Sequence, residues 1–173
     1  MTGYVALLRS VNLLGSSVLQ MADLRAIAEE LGLASPRTFI ASGNLLFTSD
    51  KPEEELRRML ERRVAAHMGR PVAVLVRTAE EMDAVHRGNP FPEAAGNNTL
   101  AFFMNEPPPT DLLATVRHQA HDERIAAGVR EVYVAYGERG IGRSRLRIPA
   151  AEAGTARNMN TVARLAALAK ELA

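Results

Sequence analysis

Three short runs, Tyr4-Val5-Ala6-Leu7-Leu8, Val72-Ala73-Val74-Leu75-Val76 and Leu100-Ala101-Phe102-Phe103, are apolar without interruption. Each is too short for a stable helix and rich in branched or aromatic residues, so each reads as a strand. A strand with one wet face alternates apolar and polar residues, whereas a continuous run demands cover on both faces. The simplest solution places helices over one face of each sheet and lets the remaining faces meet between two halves of the chain.

The patterns between these runs supply the halves. After a strand over residues 4–9, Met21, Leu24, Ala28 and Leu31 recur at helical spacing and Gly32 marks the stop. Residues 37–41 and 45–49 flank Ser42-Gly43-Asn44, a hairpin turn built from residues that tolerate positive φ. Leu56, Met59, Leu60 and Val64 form the buried stripe of a second helix ending at Gly69, and residues 72–76 form a fourth strand. The order strand, helix, strand, strand, helix, strand is the split βαβ arrangement of a ferredoxin-like half, here residues 1–77. A connecting helix and loop occupy 78–98, with Thr78 and Glu81 spaced as a capping box. Residues 99–173 partly repeat the arrangement. They offer a strand through Phe102 and Phe103, a helix with Leu112, Leu113 and Val116, a hairpin over 123–136, and a C-terminal helix whose face carries Val162, Leu165, Ala166, Ala169 and Leu172. No last strand is evident there. The predicted class is therefore α+β: two ferredoxin-like halves in tandem, the second incomplete, packed into one compact unit.

Composition removes several functions. The chain has 173 residues, 47% of them hydrophobic, enough for a sizeable core. Twenty-one basic residues balance 20 acidic ones, so no global field draws it to a polyanion or an anionic membrane. There is no cysteine, hence no disulfide or thiolate chemistry, which agrees with a reducing, cytoplasmic location. No apolar stretch approaches the roughly 20 residues of a membrane span. With five Phe, three Tyr and no Trp, and no basic-Gly-aromatic motif, RNA recognition on an open sheet face is not indicated. No phosphate loop, dinucleotide fingerprint or serine elbow is present, and no cofactor is expected. His118 and His121 could share one helix face as metal ligands, but no third ligand accompanies them, so no metal is expected.

Polar residues concentrate in three places. Arg9, Ser10 and Asn12 follow the first strand; because strands one and two of a split βαβ unit run parallel, they should approach Ser42, Gly43 and Asn44. Arg139, Arg143, Arg145 and Arg147 surround two glycines and Ser144 in a loop, where guanidinium forks suit phosphate or carboxylate. Thr155, Arg157, Asn158, Asn160 and Thr161 crowd the start of the last helix, where capping needs only one of them.

Taken together, ALLRSVNLLG, MADLRAIAEELGL, RTFIASGNLLF, GIGRSRL and TARNMNTV resemble a bacterial family known as domain of unknown function 1697. The resemblance implies a tandem ferredoxin-like arrangement, names no reaction, and marks Arg9, Asn12, Ser42, Gly43, Asn44, Gly142, Arg143, Ser144, Thr155, Arg157, Asn158, Asn160 and Thr161. The chain departs from the family pattern at Ser10 and Leu14, where glycine is usual, and at Met159, where tryptophan is. The leading expectation is binding of a small anion, a nucleotide or phosphorylated metabolite. Arg9, Arg143 and Arg157 would supply charge, and Asn12, Ser42, Asn44, Ser144, Thr155, Asn158 and Asn160 hydrogen bonds. Two alternatives stand beside it: a nucleic-acid-binding module acting through residues 139–147, and a structural or interaction protein whose polar residues brace loops. Whether the chain is an enzyme, and its oligomeric state, are not legible in the sequence.

Overall fold

The computed structural model describes residues 1–11 and 18–173. The chain forms two units, one of Met1–Asp83 with Leu165–Ala173, the other of Ala84–Arg164.

In the first unit, β1 (Thr2–Leu8) is followed by α1 (Met21–Glu30), β2 (Ala34–Thr38), β3 (Asn44–Ser49), α2 (Glu53–Met68), β4 (Val74–Thr78) and the start of α3 (Ala79–Arg87). The sheet order is β2-β3-β1-β4, and every neighbouring pair is antiparallel. Leu24, Ile27 and Ala28 of α1 and Leu56, Leu60 and Val64 of α2 pack on Tyr4, Ala6, Leu8, Leu45, Phe47, Val74 and Val76. The residues pointing the other way, Val5, Leu7, Leu46 and Leu75, are buried too. That double burial is why β1 and β4 carry continuous apolar runs, each large side chain contributing about 1.5–3 kcal/mol of transfer free energy. Thr78 and Glu81 form the reciprocal cap: Thr78 N–H donates to Glu81 Oε2 at 2.8 Å and Glu81 N–H to Thr78 Oγ1 at 3.1 Å.

The first hairpin differs from expectation by three residues. Strand β2 covers Ala34–Thr38, not 37–41, and includes Pro36. Because β2 is an edge strand bonded only to β3, a proline without an N–H is tolerated there. The ladder is irregular between Ala34 and Arg37, and Ser35 sits at φ 50°.

The second unit contains β5 (Thr99–Phe103), α4 (Leu112–Thr115), β6 (Arg124–Ala127), β7 (Glu131–Ala135), β8 (Thr155–Asn158) and the first turns of α5 (Met159–Leu172). Its order is β6-β7-β5-β8, again all antiparallel. The second half is thus not short of its last strand: Thr155-Ala156-Arg157-Asn158, expected at a helix start, is β8, with Phe103 opposite Thr155 and Leu100 opposite Asn158. Its sequence lacks an apolar run, so pairing with β5, not local propensity, makes it a strand. What the unit lacks is a long helix between β7 and β8. Residues 136–154 cross instead as irregular chain with short 3-10 turns at Ile141–Arg143 and Pro149–Ala151. From this segment Tyr136, Leu146, Ile148 and Ala151 cover the sheet face carrying Phe102, Val132 and Val134, beside Leu112 of the single-turn α4. The opposite face holds Thr99, Ala101, Phe103, Glu131, Tyr133, Thr155 and Arg157, all buried.

Helix α5 starts in the second unit, but its last turns belong to the first. There the Ala169 carbonyl lies over Gly3 of β1, and Lys170 pairs with Asp83 at 3.0 Å. Among the described residues no helix is long and apolar enough to cross a membrane.

Candidate functional site

Of the three polar clusters, the one after β1 is braced by its own backbone. Leu8 N–H donates to the Gly43 carbonyl at 2.9 Å, so the exit of β1 and the 42–44 turn meet. Asn44 is fully buried, and its Nδ2 donates to the Phe39 carbonyl and to Ser42 Oγ, both at 2.9 Å. Both side chains therefore hold the turn closed. Arg9 is exposed, with its N–H bonded to the Ala73 carbonyl. Asn12 lies outside the described residues.

The polar residues of β8 and α5 divide among separate tasks because a strand alternates its side chains. Thr155 and Arg157 point to the buried face, where Arg157 Nη1 donates to Thr155 Oγ1 and to the Ala156 carbonyl, both at 2.8 Å. Burial pulls the Arg157 guanidinium down to about 10, still charged at neutral pH. Asn158 Oδ1 accepts the Thr161 N–H at 2.9 Å and caps α5. Asn160 sits against Gly96, whose missing side chain leaves it room. Capping thus uses one residue of the five.

The arginine-rich loop is different. Arg139, Arg143, Ser144 and Arg145 line a cleft of about 190 Å³ together with His118, Ala120, Asp122, Glu123 and Gly137. The three arginines are exposed, and among the described residues Arg143 and Arg145 make no ion pair. Arg147 turns away to Glu152, at 2.8 Å. Ser144 fixes the loop. Its hydroxyl donates to the buried Glu123 carboxylate and accepts the Leu146 N–H at 3.1 Å, so both its hydrogen-bonding roles are filled. Glu123 Oε1 in turn accepts the Ala120 N–H at 2.7 Å. Ser144 accordingly braces the segment that carries Arg143 and Arg145.

Asp122, on the other wall, accepts the Glu138 N–H at 2.9 Å and fills the space above Gly137. That backbone bond, with His121 and Arg139 nearby, holds its carboxyl below the usual range. A lowered folded-state pKa adds stability above about pH 4, lost as pH falls through the folded value. Asp122→Asn should therefore lower the melting temperature at pH 7, with the gap from wild type closing in a pH 7 to pH 2 melting series. Tyr136, beneath the same loop, is pushed up to about 12 by burial and by the Glu123 charge.

The proposed pairing of His118 and His121 on a helix face does not occur, because α4 ends at Thr115 and His118 adopts φ 58°. Sequence reading named Arg143 and Ser144 but missed Glu123, the residue that holds them. Only the charge-rich His121-Asp122-Glu123-Arg124 stretch, 21 residues upstream of Ser144, hinted at it.

Two four-stranded antiparallel sheets with five helices among the described residues define a mixed α+β protein. A family model described as a protein of unknown function (DUF1697) matches residues 1–133, and the chain belongs to that family. In fold it is similar to the conserved bacterial protein SP0830 from Streptococcus pneumoniae, with TM-score 0.77 and 21% identity over 97% of this chain and 98% of that one. No curated protein matches the sequence.

Proposed function

We propose that this is a cytoplasmic, tandem ferredoxin-like protein that binds a small anionic group in the cleft lined by Arg139, Arg143 and Arg145. The 2-3-1-4 antiparallel order of both sheets supports the ferredoxin-like assignment. One observation carries the ligand reading: exposed arginines, two of them without an ion pair among the described residues, gather on a loop pinned by the Ser144–Glu123 hydrogen bond. Guanidinium groups held on a fixed loop lose little entropy when they close on a phosphate or carboxylate.

Size limits what the cleft takes. At about 190 Å³ it is below the roughly 300 Å³ of ordinary small-molecule sites, so it accommodates one phosphate- or carboxylate-sized group, not a whole nucleotide. Nucleic acid is the weaker reading. With Arg147 engaged by Glu152, three phosphate contacts would give a salt slope of only about −3, short of a practical grip on a duplex.

The test is calorimetric titration with inorganic phosphate and pyrophosphate at low salt. Binding is expected, and the double variant Arg143→Ala, Arg145→Ala should lose at least tenfold in affinity at unchanged melting temperature. Absence of binding, or equal binding by the variant, would remove the proposal. Tight oligonucleotide binding with a steep salt slope would favour the nucleic-acid reading instead.

A further inference from the structure

Beside the arginine cleft lies a second cavity of about 240 Å³, lined by Phe102, Tyr136, Leu146, Arg147, Ile148, Ala151 and Glu152. Consecutive residues of the same chain segments line one or the other. Residues 144–147 divide between them, Ser144 and Arg145 facing the cleft and Leu146 and Arg147 the second cavity. Tyr136 lines the second cavity, and the next residue, Gly137, lines the cleft. The Ser144 hydroxyl that is tied to Glu123 also accepts the Leu146 N–H, so one hydrogen-bonded unit sets both edges.

The second cavity has fewer charged side chains than the cleft. Phe102, Tyr136, Leu146, Ile148 and Ala151 present mostly apolar surface, and the charges at the rim, Arg147 and Glu152, neutralise each other at 2.8 Å. A cavity of about 150 Å³ suffices for a benzene ring, so this one has room for a single aromatic ring or a short branched acyl group.

We infer that the two cavities are subsites for one ligand class: a phosphate or carboxylate, held by Arg143 and Arg145, joined to an aryl or branched acyl group seated against Phe102, Tyr136 and Ile148. This rests on the anion-binding reading and adds the apolar half of the ligand. The absence of space for a nucleotide in the cleft alone is consistent with it, since the affinity that one anionic group cannot supply comes from the apolar neighbour.

Three phosphate probes, inorganic phosphate, methyl phosphate and phenyl phosphate, separate the two claims in calorimetric titration of the whole protein at a pH well above the second ionisation of each. Phenyl phosphate should bind at least tenfold tighter than methyl phosphate, and only phenyl phosphate should shift the NMR signals of Ile148 and Tyr136. Ala151→Val, which narrows the apolar cavity, should remove that advantage while leaving inorganic phosphate affinity within twofold. Equal affinities for all three probes would overturn the inference and leave the anion site standing. No binding by any probe would overturn both. A phenyl advantage without shifts at Ile148 and Tyr136 would place the ring elsewhere and likewise sink the inference, whether or not the Ala151 variant folds.

Discussion

Alanine at Gly154 should cost about 3 kcal/mol or more of unfolding free energy, the upper end of what overpacking exacts. Gly154 is the residue that delivers the chain from the irregular 136–154 segment into β8. A Cβ there would lie 2.0 Å from the Phe103 carbonyl oxygen and 3.4 Å from that of Ala151. The Phe103 oxygen belongs to β5, the central strand opposite Thr155, and cannot swing aside as a flexible side chain would. Relief requires β8 to separate from β5, which opens the ladder and exposes the buried Thr155 and Arg157. Urea denaturation gives the free energy, and hydrogen exchange locates it. The amides of β5 and β8 should lose protection before those of the first unit. A loss below about 1 kcal/mol would mean that the chain finds another path into β8.

That dependence on a close backbone approach explains which parts of the fold were legible beforehand. Strands β1 and β4 announced themselves through apolar runs because both their faces are buried, β5 because one face is buried and Phe102 on the other is half-buried against the second core, and α1 and α2 through apolar stripes that meet the sheet. Thr78 and Glu81 were readable because a cap is a local, three-residue interaction. β8 was not, since Thr155 and Arg157 enter the core as a hydrogen-bonded polar pair and carry no hydrophobic signal. For α4, Leu112, Leu113 and Val116 have helical spacing, yet Leu113 remains 64% exposed and the helix stops after one turn. Spacing alone does not recruit a helix when one residue of its stripe has nothing to bury against. In the candidate site, the arginines around Ser144 were visible as composition. The carboxylate that orders them sits on the residue preceding β6, and the tertiary fold alone brings it to the loop.

Glu123 offers the sharpest functional experiment because its two contributions to the cleft oppose each other. As a hydrogen-bond acceptor it holds the Ser144 hydroxyl and the Ala120 N–H, fixing the loop that carries Arg143 and Arg145. As a negative charge lining the same cleft, it repels any anion the arginines attract. Glu123→Ala removes the acceptor and leaves two donors without partners in a nearly closed environment, Glu123 itself being 6% exposed. A loss of about 3 kcal/mol in stability follows from two bonds to a buried charged group. The loosened loop should also cost at least tenfold in inorganic phosphate affinity. Glu123→Gln keeps an amide oxygen for one donor and removes the charge, so it should cost only about 1 kcal/mol in stability. Phosphate affinity should then equal or exceed that of the wild type. Parallel melting curves and phosphate titrations of the two variants decide the matter. Equal loss of affinity in both would mean that the carboxylate's charge is itself needed at the site. Unchanged affinity in the alanine variant would mean that the Ser144 brace does not govern where Arg143 and Arg145 point.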